Sequence, residues 1–488
     1  MKIIFLNPPA ENALVEYPDE RGDSYIETED FGSFPPLGVL YVLSYLQREE
    51  PHHELFFKDC VAERMSFEAL GRYISAIGPD IVGITSFTIS LIDVIKAACI
   101  VRKHAPGAHI CLGGHHPIAF PFEAAGLEAF DSIIVGEGEE AFTGLVRAIE
   151  NDGNITKVDG VYTRDSIRAW MDSGYSDKRF LTTVTVPPAY IDDLDSLPFP
   201  DRRFIRHIDY HSIVGVTDKL ATIISSRGCP YKCVYCDVPY KRYRQRSIPN
   251  VVDEIAECLD MGYREFHFYD DLFNITPEKV IAFCDEVDRR GMSFIWDFRG
   301  RVNTVTRESL VRAKRAGCRM ISFGVETGTN EGLELLRKGT TVEKTREVFG
   351  WCRELGIATI ADYIIGLPFE KSRADVKRSI DFLIDLDPDY AQVSILSLYP
   401  NTQLFNEAVA KGFIPPEKWR EFARNPSRDI LIDHWEEFLS IRELVALQKY
   451  AYRRYYLRPS YIIRSIMSTR TLYEFKTKLR GLKTLLMG

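Results

Sequence analysis

The sequence predicts an α/β protein: an N-terminal Rossmann-like open parallel sheet, then a (β/α)6 partial TIM barrel, then a helical C-terminal region. Three observations carry this expectation. Over residues 1–150, strand-length apolar runs alternate with stretches whose apolar residues recur at three- and four-residue spacing. From Leu220 the alternation resumes at a longer period for six further units. Between them, residues 151–218 break the rhythm with turn-rich and proline-rich sequence. At 488 residues the chain is also too long for one ordinary core.

In order, the strands of residues 1–150 read "KIIFLN", "ELFFKD", "DIVGITS", "HICLGG" and "DSIIVGEG", separated by helix patterns such as "LGVLYVLSYLQREE". Strands alternating with helices argue for an open, mostly parallel sheet that binds ligands at the carboxyl ends of its strands. Those ends are small and polar: Asn7-Pro8-Pro9, Thr85-Ser86, Gly113-Gly114-His115 and Gly136-Glu137-Gly138-Glu139. Any one of them reads equally well as a tight turn; the set along one edge reads as a binding face. Residues 151–218 read as a linker with a small accessory element, including a hairpin-like "KVDGVYTRDS" and the stretch "DDLDSLPFPDRRF". Residues 219–414 supply the barrel strands "LATIISS", "EFHFYDD", "FIWDFRG", "MISFGVET", "IADYIIG" and "AQVSILS". Residues 415–488 read as helical, rich in Tyr and Arg.

Net charge is −9, which argues against a general nucleic-acid binder. The charge is uneven: from Arg442 onward there are 11 Lys and Arg against 2 Asp and Glu, leaving −18 for the rest. No apolar run approaches the roughly 18 residues that cross a bilayer. "MKIIFLNPP" reads as a first strand and not as a signal peptide, so a cytoplasmic protein is expected. Of ten cysteines, those at 60, 99, 111, 258, 284, 318 and 352 are scattered and read as ordinary thiols.

The other three, Cys229, Cys233 and Cys236, crowd into one loop after the first barrel strand. Structural zinc would need a fourth ligand, and no second CxxC or nearby His pair supplies one. Catalytic zinc keeps an open position, but three thiolates make a site too electron-rich to activate water well. A [4Fe–4S] cluster can be held through three of its irons, leaving the fourth for an outside ligand.

C-x3-C-x2-C at this place, with Tyr235 before the last cysteine, resembles the signature of the radical SAM superfamily. In that family the open iron is chelated by the amino and carboxylate groups of S-adenosylmethionine (SAM). The resemblance implies further SAM contacts at successive strand ends. Asp270 and Asp271 in "FYDDLFN" would serve the ammonium, and Arg301 in "FRGRVN" the carboxylate. Glu326 in "FGVETG" would lie near the ribose and methionine, Arg337 in "LLRKG" would add a second base, and Gly366 in "DYIIGLP" would meet the adenine.

Ahead of the barrel, "FPPLGVLYVLSYL", "GITSFT", "GGHHPIAFP" and "VGEGEEAF" resemble the N-terminal signatures of the cobalamin-binding radical SAM family, the class B methyltransferases and BchE-like proteins. This implies cobalamin (B12) beside Thr85, Ser86, Gly113, Gly114, His115, Glu137 and Gly138. One departure matters. Many B12 proteins carry D-x-H-x-x-G, whose histidine ligates cobalt, whereas "DCVAER" has Val61 and Arg64 at the His and Gly positions. A histidine ligand from that loop is excluded, and His115 and His116 are read as pocket lining or loop packing.

The activity so implied is reductive cleavage of SAM to a 5′-deoxyadenosyl radical, hydrogen abstraction from an unactivated carbon of a small or lipid-like substrate, and methylation there. Oxidative cyclisation or rearrangement with cobalamin is the alternative. A tRNA methylthiotransferase would need cysteines for a second cluster, and Cys60 and Cys111 are too isolated for one. An electron donor such as flavodoxin or ferredoxin is expected, and no nucleic acid. The basic tail is read as a cap over the active site, with peripheral membrane contact as the other reading.

Overall fold

In β1 (Lys2–Asn7) the four central residues Ile3, Ile4, Phe5 and Leu6 are all buried, as expected of a parallel strand covered on both faces. The computed structural model describes residues 1–12, 14, 32–212, 214–217 and 219–469. Around β1 lie β2 (Glu54–Asp59), β3 (Ile81–Ser86), β4 (His109–Gly114) and β5 (Ser132–Ile134), all parallel, in the order β2-β1-β3-β4-β5. Helices α1 (Leu37–Glu49), α2 (Phe67–Ile77), α3 (Leu91–His104) and α4 (Gly138–Glu150) make the crossovers and cover. Strand order reverses between β1 and β3, so Asn7 and Ser86 flank the crevice where such sheets bind ligands.

The segment read as hairpin-like is instead a sixth, antiparallel edge strand, β6 (Val161–Tyr162), followed by α5 (Arg164–Met171). Its partner is β5, too distant in sequence for a local pattern to show. The proline-rich stretch is pinned to the barrel by Arg202, which donates to the Thr222 carbonyl at 2.7 Å and to Glu254 at 2.7 Å.

The barrel strands are β7 (Leu220–Ile223), β8 (Glu265–Phe268), β9 (Ile295–Gly300), β10 (Cys318–Glu326), β11 (Ala358–Ile365) and β12 (Tyr390–Ile395). They pair in sequence order, all parallel, through crossover helices α6 (Ile248–Asp260), α7 (Pro277–Arg289), α8 (Arg307–Arg315), α9 (Val342–Leu355) and α10 (Arg373–Leu386). Period-2 alternation separates the two faces. Phe266, Phe268, Trp296, Phe298, Ile321 and Phe323 pack outward against the helices in one core. The inner face is polar, carrying Thr222, His267, Asp297, Arg299, Ser322 and Asp362.

The tail reading changes as well. In α11 (Ile441–Tyr456) the tyrosines do not close over the active site; they cover the free edge of β12. Tyr456 Oη accepts from Ala391 N at 2.9 Å and donates to Ala391 O at 2.8 Å, and Tyr452 Oη does the same for Val393 at 3.1 Å each way. A last helix, α12 (Pro459–Ser468), follows; residues 470–488 of the basic tail lie outside the described residues. Among the described residues no helix is long and apolar enough to cross a membrane.

Candidate active site

The cysteine loop begins where β7 ends, and its first turn is fixed from the next strand. Asp270, just past β8, accepts from Ser225 N (2.6 Å), Ser225 Oγ (2.5 Å) and Ser226 Oγ (2.8 Å), with Lys279 Nζ at 3.5 Å. Its carboxylate is buried and fully used, so it anchors the loop and is not available to a SAM ammonium. Asp271 is the one that reaches open space. It accepts from Gly228 N at 2.9 Å, and dense surroundings raise its pKa. Gly228 has φ +85°, and a Cβ there would stand 2.5 Å from the Arg242 carbonyl, so only glycine lets the loop fold back. The return is closed by Cys229 N donating to Tyr240 O at 3.0 Å.

All three cysteines are free and half-buried. Burial pushes the Cys229 thiol up and the Cys236 thiol up to about 11, so a bound cation is needed to hold them as thiolates. Arg301 points at this loop. It donates to Cys233 Sγ at 3.3 Å, to Asn303 Oδ1 at 3.1 Å and to the Lys338 carbonyl, and its guanidinium lies 3.9 Å over the Tyr231 ring. Three of its five donors thus support the cysteine loop, and the other two remain for the expected role at the SAM carboxylate.

At the end of β10, Glu326 (φ +64°) receives Lys338 Nζ and Tyr235 Oη on the same oxygen, each at 2.8 Å. A Cβ on Gly324 would collide with both Glu326 and Lys338, so the glycine makes room for the pair. Arg337 is exposed at φ +55°, and its neighbour Lys338 is the buried base. The left-handed turn after the short helix Asn330–Leu335 swaps the inward position by one residue, which the "LLRKG" spacing alone does not reveal. Gly366 N donates to Glu370 Oε2 at 2.7 Å, and its Cβ position is filled by Leu444. Its amide serves the turn. Glu370 and Lys338 are the buried ionisable groups that the sequence reading passed over.

On the facing edge, Ser86 Oγ donates to the Gly113 carbonyl at 2.7 Å, beside a half-buried Thr85. Gly114 has φ +92°, and a Cβ there would meet Ser86 backbone at 2.5 Å; Gly113 opens onto free space. His115 is exposed and stacks on Phe87 with centroids 5.0 Å apart, and Phe87 is itself 55% exposed. His116 is wholly buried, within 3.1 Å of Thr88 Oγ1, with its pKa lowered by burial to about 3. Val234 and Tyr235 of the cysteine loop pack in one apolar core with Ile84 and Leu112 of the first domain, so the two edges face each other.

Two residues expected at cobalamin also serve the fold. Glu137 is a clasp between domains: it takes Arg244 through both oxygens at 2.7 and 2.8 Å and Arg227 at 3.1 Å. Gly138 lies against Val42, where a Cβ would stand 2.9 Å from the side chain, so it serves helix packing. In the loop after β2, Asp59 is spent on Asn7 (2.7 Å), Tyr210 (2.8 Å) and the Val61 and Ala62 amides.

The residues present fit the implied groups. Three soft donors on one loop, with a guanidinium at Cys233, suit a cluster held by three irons. An exposed aromatic pair above a glycine cradle suits a broad, flat cofactor.

Comparison with known proteins agrees with this geometry. Residues 223–383 match the model of the radical SAM superfamily, and residues 29–146 that of the B12 binding domain. A protein of Pyrococcus horikoshii named as an uncharacterized methyltransferase is 27% identical over 489 residues, covering 99% of this chain and 98% of the relative. The anaerobic magnesium-protoporphyrin IX monomethyl ester cyclase of Cereibacter sphaeroides is 31% identical over 388 residues, 77% of this chain and 60% of the cyclase. Among solved structures, the cobalamin-dependent SAM radical enzyme OxsB with aqua-cobalamin bound superposes with a TM-score of 0.69 at 17% identity, over 99% of this chain and 71% of OxsB.

Proposed function

The chain belongs to the cobalamin-binding radical SAM enzymes, and from that premise we propose that it methylates an unactivated carbon of a small or lipid-like substrate. The observation that carries this is the opposition of the cysteine loop and the Phe87–His115 edge, the loop's Val234 and Tyr235 sharing one core with Ile84 and Leu112 of the first domain. Residues 1–150 would hold cobalamin, through Phe87, Gly113, Gly114 and His115. Residues 219–414 would hold the cluster on Cys229, Cys233 and Cys236, with SAM beside Glu326, Lys338 and Asp271; residues 151–218 join the two, and 441–456 brace the barrel edge. When bound, the cluster supplies the electron that cleaves SAM, and cobalamin supplies a transferable methyl group.

The chain's own part is to position and to exclude water. Leu336, Leu367 and Leu398 of the barrel pack in one core with Ile84, Leu112 and Phe120 of the first domain, drying the floor around the gap. Lys338 holds the Glu326 carboxylate in one orientation beside the cysteine loop.

The test is anaerobic reconstitution with iron, sulfide and hydroxocobalamin, then reductant and SAM carrying a deuterated methyl. The intact protein is expected to release 5′-deoxyadenosine, retain cobalamin through gel filtration and pass the labelled methyl to a metabolite. Cys233→Ala is expected to retain cobalamin and lose SAM cleavage by at least two orders of magnitude. Zinc in place of iron, with no SAM cleavage by the intact protein, overturns the proposal. Similarity to the cyclase favours a second reading, oxidative cyclisation, which would consume SAM without placing its methyl in the product.

The ten free thiols support a reducing compartment, the cytoplasm, with a flavodoxin or ferredoxin as electron source. On α12, Ile462, Ile463, Ile466 and Met467 are exposed, and the sequence after them is basic. We place an anionic bilayer against this face. Flotation with phosphatidylglycerol vesicles is expected, and its failure at low salt removes the membrane contact.

A further inference from the structure

The inner faces of the six barrel strands carry two arginines and a histidine, and two of the three are paired. Arg319 lies 3.2 Å from Glu265 and 3.4 Å from Asp297, and His267 contacts Asp297 at 2.8 Å. The third, Arg299, has no hydrogen bond or ion pair among the described residues. It projects inward because Trp296 and Phe298, on the other face of β9, are locked in the helix-covered core. Although it sits on a central strand, its side chain is exposed, so the space it faces is open.

The surroundings of Arg299 are those of a built site. Its guanidinium lies 6.0 Å from the Tyr269 ring, which is 39% exposed and packs against Phe34 with centroids 5.1 Å apart. Asp362, two strands away, is partly accessible and accepts from Ser322 Oγ at 2.7 Å; it is beyond ion-pair distance of Arg299, whose charge still opposes the rise that burial gives its pKa. Ser394 on β12 is exposed on the same inner face. The guanidinium is exposed and keeps its donors free for a ligand, and its planar fork matches a carboxylate or phosphate through two parallel hydrogen bonds.

We propose that Arg299 is the anion-recognition residue of a substrate site inside the barrel, binding a carboxylate or phosphate of the molecule whose carbon is modified at the mouth. The proposal rests on the methyl-transfer reading for the identity of the reaction and on Arg299 alone for the charge of the substrate.

The experiment incubates the fully loaded protein with methyl-deuterated SAM and a small-molecule extract of its own organism, then separates products by anion exchange. Wild type is expected to place label in the anion-retained fraction, with phosphatase treatment separating phosphate from carboxylate acceptors. Arg299→Gln is expected to lower labelling ~10- to 100-fold at limiting substrate, the loss of a charge-assisted hydrogen-bond pair, and Arg299→Lys to recover part of it. Both variants are expected to bind SAM with the wild-type Kd in equilibrium dialysis. Label only in uncharged products overturns the proposal while leaving methyl transfer standing. Loss of SAM affinity in Arg299→Gln overturns it too, by assigning the guanidinium to the SAM carboxylate. If no label moves at all, the methyl-transfer reading fails separately. Dialysis of phenyl phosphate and benzoate against benzamide then decides the anion site: a preference lost in Arg299→Gln upholds it, and no preference removes it.

Discussion

The fold controls the protonation of Glu370 through burial. Its Oε2 accepts from Gly366 N at 2.7 Å and Leu367 N at 3.0 Å, while Oε1 is buried without a partner. Burial raises its pKa to about 7, against the pull of those two amides. A carboxyl whose folded pKa lies above its unfolded value stabilises the fold fully below the unfolded pKa, near 4.5, and loses that contribution as pH rises through about 7. A shift of this size is worth about 3 kcal/mol. Glu370→Gln copies the protonated acid, so it is expected to remove the decline in stability between pH 5 and 7 and to exceed wild type at pH 8. Urea midpoints at four pH values check it, and parallel curves for the two proteins reject it. Nothing in "GLPFE" announces this group, because a raised pKa comes from tertiary burial. The cysteine trio is legible for the opposite reason, since its spacing is local chemistry. Arg337 and Lys338 lie between these cases: the basic pair is visible in the sequence, but the turn that decides which one is buried is not.

At the scale of elements, alternation alone makes the barrel strands readable from the sequence. Residues 358–365 of β11 alternate strictly between partly and fully buried positions. What periodicity does not tell is how the sheet ends. An open edge on β12 would leave N–H and C=O groups bare. Tyr452 and Tyr456 meet them from α11, each hydroxyl acting as acceptor and donor to one residue, in place of a seventh strand. "KYAYRRYY" looks like a cap or a membrane surface because the partner of a tyrosine hydroxyl is sixty residues away in the chain. Changing both tyrosines to Phe keeps the rings and uncovers the edge. At about 1–3 kcal/mol for each set of unmet groups, the double variant is expected to lose roughly 2–5 kcal/mol. Amide exchange at Ala391 and Val393 is expected to accelerate at least tenfold. Exchange unchanged at those two amides, with α11 still helical, would show that the edge is protected by something else.

At the scale of the whole molecule, the order of the two domains is legible in motifs, and the way they are held together is not. "VGEGEEAF" reads as a ligand loop because glycine and glutamate suit one; in the fold its first glutamate reaches the other domain. Burial pushes the Glu137 carboxyl up, but Arg227 and Arg244 outweigh it and hold its pKa below the ordinary value. The sign is therefore opposite to that of Glu370. The clasp's contribution is present above the unfolded pKa and is lost as pH falls through the lower folded value. Glu137→Gln leaves Arg244 buried with the Ile191 carbonyl and the Tyr190 and Tyr240 rings to replace an ion pair. Breaking one side of a buried pair costs about 3–5 kcal/mol, and here the strain falls on the contact between domains. The variant is expected to show a larger radius of gyration by X-ray scattering, faster loss of cobalamin on gel filtration and a flatter stability profile below pH 4, with the cysteine loop still able to bind iron. Wild-type radius and cobalamin retention in Glu137→Gln would return this glutamate to the cofactor pocket and leave the domains joined by their shared apolar core and by the Arg227–Glu139 and Arg420–Glu123 pairs.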